Sequence, residues 1–161
     1  MNQDEYIANL PKKRMAVGVL FFNNARELLV VKPTYKENWS VPGGVCDENE
    51  SPRETAIRET KEETSLNIKK VQLLCVDYMS RGKSEYSNKM ENLQFIFYGG
   101  TLEDEQIDKI KLPPDELSEY KFVETEEAQK ILSKNLANRL PNCIQAVKNN
   151  TAYYLEGGEI V

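Results

Sequence analysis

The stretch SVPGGVCDENESPRETAIRETKEETSL, residues 40 to 66, constrains this chain most, because it sets a glycine pair just ahead of a helix whose start is fully specified. Ser51 is an N-cap type, Pro52 suits the first helical position, and Glu54 closes a capping box. A helix is expected from there to about Thr64, with Asn67 beginning the exit. At 3.6 residues per turn, Glu59, Glu62 and Glu63 fall within an arc of roughly 100°. Ile57, Thr60 and Thr64 cluster on another arc and are expected to face the core. Carboxylates one turn apart repel by roughly 0.2–0.5 kcal/mol per pair. Such a face is either a solvated acidic surface or the seat of a cation. A hard divalent ion such as Mg²⁺ takes oxygen ligands and shares them with substrate phosphates. Gly43 and Gly44 either form a plain turn or let backbone approach a ligand closely.

The rest of the chain mixes strand and helix patterns. Residues 15–22 and 27–31 are apolar, rich in β-favouring types, and separated by the turn signal NNAR, which predicts a hairpin. Pro33, Pro42 and the glycine pair punctuate a loop carrying Trp39. Residues 71–79 and 93–100 read as further strands joined by a polar loop over 80–92. The acidic, proline-interrupted run 101–119 reads as mostly loop, and 120–124 as a short strand. Thr125 is expected to cap a helix with Glu126 and Glu127 in its first turn and Lys130 and Lys134 later, as the helix dipole favours. A last helix is expected near 141–149, before a Tyr153-Tyr154 tail. With no repeat or linker in view, the expectation is one α/β domain over residues 1–161, with a leader over 1–13 and a tail over 150–161.

Composition narrows the chemistry. The 161 residues hold no histidine, which removes the usual general base, serine and cysteine sites that depend on histidine, and histidine-ligated zinc. Catalysis would have to run on carboxylates, Lys, Arg, Tyr, water or a hard metal. The net charge of −5, with no long basic stripe, speaks against duplex nucleic acid as a partner. No run of about 18 apolar residues suggests a membrane span, and the N-terminal residues lack the apolar block of a secretory signal. Cys46, Cys75 and Cys143 are odd in number and far apart, so reduced thiols and a cytoplasmic setting are expected. RGKS at 81–84 ends like a phosphate-binding loop, but Asp77 stands where that motif needs its first glycine. DENES at 47–51 opens like a calcium loop, but Pro52 and Arg58 stand where glycine and glutamate are required.

Gly44, five residues, Glu50, seven residues, Arg58-Glu59, two residues, Glu62-Glu63, and two residues to Leu66 is the spacing of the Nudix box, G-x5-E-x7-R-E-U-x-E-E-x-G-U with U bulky and aliphatic. The chain resembles the Nudix hydrolase family on these positions, and less specifically over about residues 14–150. Thr60 replaces the first aliphatic residue and Ser65 the last glycine. The resemblance implies an α/β/α sandwich around a mixed sheet, and hydrolysis of a nucleoside diphosphate linked to another moiety. It implies Mg²⁺, with Mn²⁺ as a substitute, held by Glu59, Glu62, Glu63 and the Gly43 carbonyl.

The same resemblance implies further roles. Arg58 would orient the carboxylates, a role that overlaps with a plain i,i+4 pair to Glu54 or Glu62, and Glu50 would brace the loop. The general base varies within the family. Glu62, Glu63 or an acid from 101–119 could serve, with Glu116 preferred over Glu119 and a solvated loop acid as the alternative for either. Lys32, Gly43, Gly44 and Arg81 are candidates for substrate contact, with Lys83 and Lys89 making the 80–92 loop basic. Trp39 and Tyr35 could stack on a base, although packing beneath the loop suits Trp39 better. Substrate classes include nucleoside triphosphates and nucleotide sugars, with ADP-ribose as the alternative. A proline common after the box in ADP-ribose enzymes would fall near Arg81. A non-catalytic Nudix-like nucleotide sensor and an acidic interaction domain are the rival readings. The implied partner is a small nucleotide, and the family also admits homodimers.

Overall fold

A computed structural model describes residues 1–83 and 90–161. In chain order its elements are α1 (Gln3–Ala8), β1 (Arg14–Phe22), β2 (Leu28–Pro33), β3 (Gly43–Val45), α2 (Pro52–Thr64), β4 (Gln72–Met79) and β5 (Asn92–Thr101). Beyond these come α3 (Asp104–Ile107), β6 (Leu117–Val123), α4 (Thr125–Ile131), α5 (Lys134–Asn149), β7 (Tyr153–Glu156) and β8 (Glu159–Ile160). The strands form one mixed sheet in the order β6-β2-β1-β5-β4-β7-β8, with β3 also paired to β1.

Alternation along β1 sends side chains to opposite faces of the sheet. On one face Leu20 joins Leu28, Val30, Cys75 and Ile96 beneath Leu136, Leu140, Cys143 and Ala146 of α5. On the other, Val17, Val19 and Phe21 join Leu29 and Phe97 beneath Ala56 of α2 and Leu66. Each fully buried side chain of this size contributes about 1.5–3 kcal/mol, so two such layers hold the helices onto the sheet. Cys75 and Cys143 lie within this core as free thiols, their sulfurs 3.5 Å apart.

The expected hairpin survives only at its tip, where Phe22 faces Leu28. The main partner of β1 is β5, parallel to it from Arg14↔Asn92 to Phe22↔Thr101, while β2 pairs with β6. Residues 39–45 force the two strands apart. Val31 and Ser40 exchange backbone hydrogen bonds of 2.8 and 2.9 Å, Val19 donates to the Pro42 carbonyl at 2.8 Å, and β3 lies against residues 16–18 of β1. The gap created there is where the cleft of this molecule opens.

Other differences from expectation have local causes. The leader holds the short helix α1, started by an Asn2–Glu5 capping box and burying nothing. The 101–119 run contains α3, and β6 begins at Leu117, three residues before the expected strand. Glu124, not Thr125, is the N-cap of α4, without a side-chain cap bond. The last helix begins at Lys134 and carries Pro141 inside it. A proline within a helix costs about 3 kcal/mol, but its ring lies on the exposed face while Leu136, Ala137, Leu140, Cys143 and Ala146 are buried along the other. The expected tail folds back as β7, parallel to β4, and β8. Among the described residues no helix is long and apolar enough to cross a membrane.

Candidate active site

Helix α2 starts as its sequence dictates. Ser51 Oγ accepts the Glu54 N–H at 3.2 Å and the Glu54 carboxylate accepts the Ser51 N–H at 2.8 Å. Its buried residues are Thr55, Ala56, Thr60 and Thr64, whereas Ile57 is only half-buried. The packing and acidic faces therefore overlap rather than separate. With 100° per residue, Glu59 and Glu63 both fall between Thr55 and Ala56 on the buried arc, Glu63 nearer Ala56, and Glu62 lies just beyond Thr55. Exposure grades accordingly: the Glu59 side chain is 15% exposed and that of Glu62 55%.

Burial dominates the electrostatics of these acids. The Glu63 carboxyl is pushed up to about 8 by desolvation, against the lowering effect of the Gly43 N–H that it accepts at 2.9 Å; Glu59, Glu116 and Glu62 push it further. Glu59 is also raised, first by burial and then by Glu62 and Glu116, with Arg58 opposing. Glu116, exposed in the turn just before β6, thus lies within electrostatic reach of both helix acids, and it lines the same cleft as Glu63.

Arg58 organises the outer side. Its Nε and Nη2 grip the Glu50 carboxylate at 2.7 and 3.0 Å, and its Nη1 donates to Glu59 at 2.9 Å and Glu62 at 3.0 Å. Nη2 also reaches the Val45 carbonyl at 3.3 Å. Glu50 accepts the Asp47 N–H and the Thr55 hydroxyl as well, and Arg58 foremost holds its carboxyl down to about 2. The two glycines are required by contact. A Cβ on Gly44 would stand 2.2 Å from Glu59 Oε1, and one on Gly43 would stand 2.0 Å from the Val17 carbonyl oxygen.

The cleft beside these acids has a volume of about 410 Å³. Gly43, Gly44, Glu63 and Glu116 line it together with Arg14, Asn92, Gln94, Asn135, Arg139, Val41, Ile96 and Leu136, and the registers Gly18↔Gly43 and Arg14↔Asn92 set Asn92 several positions along β1 from the glycine pair. Lys32 is not among its lining residues; its ammonium donates to the Lys36 and Glu37 carbonyls at 2.6 Å each, tying down the loop after β2. Arg81 is exposed beyond β4, near enough to Glu91 to lower its carboxyl, and also off the cleft. Glu119 pairs across from Lys32 on the exposed side of β6. Trp39 packs on the α5-side core beneath Lys121, whose Nζ is 4.7 Å from its ring centre, while Tyr35, 74% exposed, stands at the cleft lip. The Lys83 carbonyl accepts from Asn135 at 3.3 Å, and Lys89 lies outside the described residues.

A family model described as NUDIX domain matches residues 12–147. The chain belongs to the NUDIX family. An RNA pyrophosphohydrolase of Hydrogenovibrio crunogenus is 36% identical over 61 residues, 38% of this chain and 37% of that protein. A methanol dehydrogenase activator of Bacillus methanolicus is 30% identical over 118 residues, 65% of this chain and 61% of its own length. The chain thus spans less than two thirds of either relative. The crystal structure of a UDP-X diphosphatase shares the fold with a TM-score of 0.70 at 18% identity, over 96% of this chain and 76% of that one.

Both departures from the Nudix box have a visible place in the fold. Thr60 is fully buried and its hydroxyl has no hydrogen-bond partner, as expected where the pattern carries an aliphatic side chain. Ser65 is the C-cap in the left-handed conformation, φ 66°, where the pattern carries glycine. The residues that sequence reading missed, Arg14, Asn92, Gln94 and Arg139, come from strand starts and from α5. Their one legible signal is Arg139, a cation on the apolar stripe of Leu136, Leu140 and Cys143.

The donor set suits a hard divalent cation. Glu59, Glu63 and Glu116 offer only oxygen, lie close enough to repel one another, and are partly withdrawn from water. As the side chains lie, no three carboxylates or thiols among the described residues converge on one point. Arg58 holds one oxygen of Glu59 and one of Glu62, and the Gly43 N–H holds one oxygen of Glu63, so each carboxylate keeps a second oxygen to offer an ion.

Proposed function

We propose that this NUDIX protein is a divalent-metal-dependent pyrophosphohydrolase acting on a nucleoside diphosphate linked to another moiety. The observation that carries this is the electrostatic coupling of Glu63 to Glu59 and to Glu116, an exposed acid from the turn before β6, with Glu63 and Glu116 lining a cleft of about 410 Å³ together with the Gly43-Gly44 backbone. The likeness to an RNA pyrophosphohydrolase and to a UDP-X diphosphatase supports a nucleotide pyrophosphate as the shared substrate element.

Glu59, Glu62, Glu63 and the Gly43 carbonyl would hold the ion, Mg²⁺ or Mn²⁺. When bound, it neutralises phosphate charge and lowers the pKa of coordinated water. Arg58 keeps the helix acids aimed, using the bidentate geometry of a guanidinium on Glu50 as its anchor. Glu116 is the candidate proton acceptor for the attacking water, being exposed and coupled to the other acids. Gly43 and Gly44 let the phosphate chain lie against backbone. The conformations of Lys32 and Arg81 give neither a direct phosphate contact, and Lys32 instead shapes the loop beside the cleft.

The test is a panel of nucleoside triphosphates, nucleotide sugars and ADP-ribose incubated with Mg²⁺ and assayed for phosphate or nucleoside monophosphate release. Turnover that falls at least about a thousandfold in Glu63→Gln and Glu62→Gln supports the enzyme. Binding without turnover in the unaltered protein would replace it with a nucleotide sensor.

A further inference from the structure

The end of the cleft away from the acids has polar groups without partners among the described residues. Arg139 is 5% exposed and lines the cleft. Its Nε donates to Asp77 Oδ2 at 2.5 Å, and Asp77, fully buried on β4, also accepts the Gly158 N–H at 3.0 Å from the turn between β7 and β8. The guanidinium is thereby fixed by its edge, while its two Nη groups have no partner among the described residues. Asn92, 1% exposed on β5, lines the same cleft. Gln94 Nε2 donates to its Oδ1 at 2.9 Å, and its Nδ2 is buried without a hydrogen-bond partner among the described residues. A buried donor left unmet destabilises a protein, so its retention calls for an acceptor that the described residues do not supply.

We propose that Asn92 and Arg139 form a second subsite, which takes a hydrogen-bond-accepting oxygen on the part of the nucleotide remote from the metal-binding acids. The C-terminal hairpin, acting through Gly158 and Asp77, is the brace that holds Arg139 there. This rests on the pyrophosphohydrolase reading for the substrate class, but not for the subsite itself. Two sources present such an oxygen: the carbonyl of a uracil, cytosine or guanine base, and a sugar or phosphate oxygen.

The discriminating variants are Asn92→Leu, which removes the unmet donor at similar volume, and Arg139→Lys, which keeps a cation for Asp77 but removes the planar fork. Melting temperature, KM and kcat are measured with uridine, guanosine, cytidine and adenosine triphosphates and with UDP-glucose. Calorimetric binding of the same nucleotides to metal-free protein is measured in parallel. The expected result is a KM or Kd raised about tenfold, the equivalent of one hydrogen bond, with kcat within about threefold and an Asn92→Leu melting temperature no lower than that of the unaltered protein. Loss that spares adenosine triphosphate, whose base has no carbonyl, identifies the base carbonyl, and uniform loss identifies the sugar or phosphate. Nucleotide binding weakened by the variants with no turnover by any of the proteins sustains the subsite and sinks the hydrolase reading. Turnover with unchanged KM, lowered melting temperature alone, or no binding by the unaltered protein overturns the subsite.

Discussion

Glu63 Oε2 accepts the backbone N–H of Gly43 at 2.9 Å across twenty positions of sequence. One bond thus ties the acidic helix to the short strand wedged between β1 and β2. Because Glu63 lies on the buried arc of α2, this contact aims its carboxylate into the cleft rather than into solvent.

The glycine pair separates stability from activity. In Gly44→Ala the new methyl meets only the carboxyl end of Glu59, which can swing aside. The melting temperature should hold within a few degrees, while displacement of that acid should lower kcat/KM about 100-fold. In Gly43→Ala the methyl meets the Val17 backbone carbonyl, which cannot move without breaking the β1–β3 pairing. Overpacking of this kind costs about 1–3 kcal/mol, and thermal denaturation should show it directly. Equal melting temperatures for the two variants would contradict this assignment.

The departures from the box are sites where the protein can be stabilised. Thr60→Val keeps the shape and removes a buried hydroxyl without a partner, so unfolding free energy should rise by about 1 kcal/mol. Ser65→Gly relieves a left-handed conformation but loses the Ser65 Oγ bond to the Lys111 carbonyl at 3.2 Å, so its gain should be smaller, about 0.5 kcal/mol. Urea denaturation of the two single variants measures both signs.

Acid should weaken the Glu50–Arg58 anchor within a defined range. The Glu50 carboxyl is held near 2 in the folded protein against 4.5 as its ordinary value. A depressed folded value means that the stabilisation is complete above the unfolded value and is lost as pH falls through the folded one. The melting-temperature gap between the unaltered protein and Glu50→Gln should therefore be constant above about pH 5.5 and shrink steadily toward about pH 2. A gap that widens on acidification would show that another group carries the contact.

Divalent ions should stabilise the fold through the same acids that repel one another without them. At about 100 times its Kd, Mg²⁺ adds about 2.7 kcal/mol, or roughly 5–10 °C for a chain of this size. Burial keeps the Glu63 carboxyl largely protonated near neutral pH, so its neutral isostere in Glu63→Gln should leave the chelated variant melting no lower than the chelated unaltered protein, yet gaining little on adding Mg²⁺. Scanning fluorimetry with chelator and with Mg²⁺ compares the four states, and an undiminished response in the variant would remove Glu63 from the ion site.

Much of this fold was already legible in local sequence. The Ser51–Glu54 capping box, the span of α2, the apolar runs of β1, β4 and β5 and the spacing from Gly44 to Leu66 depend on neighbours within a few residues, and each appears in the fold with little change. What tertiary structure decided depends on partners far apart in sequence. Three glycine-rich residues became β3 only because β1 offered its edge, and residues 134–140 joined the helix through Pro141 because their apolar stripe found the sheet. The 153–160 segment became strands because β4 was open to it. Glu116 and Glu63 share a cleft across 53 residues, and Arg139 reaches its place through an aspartate on β4 and a glycine in the final turn. Helix caps and hydrophobic periodicity are short-range and can be read residue by residue. Burial, charge coupling and the meeting of distant side chains exist only once the chain has closed upon itself.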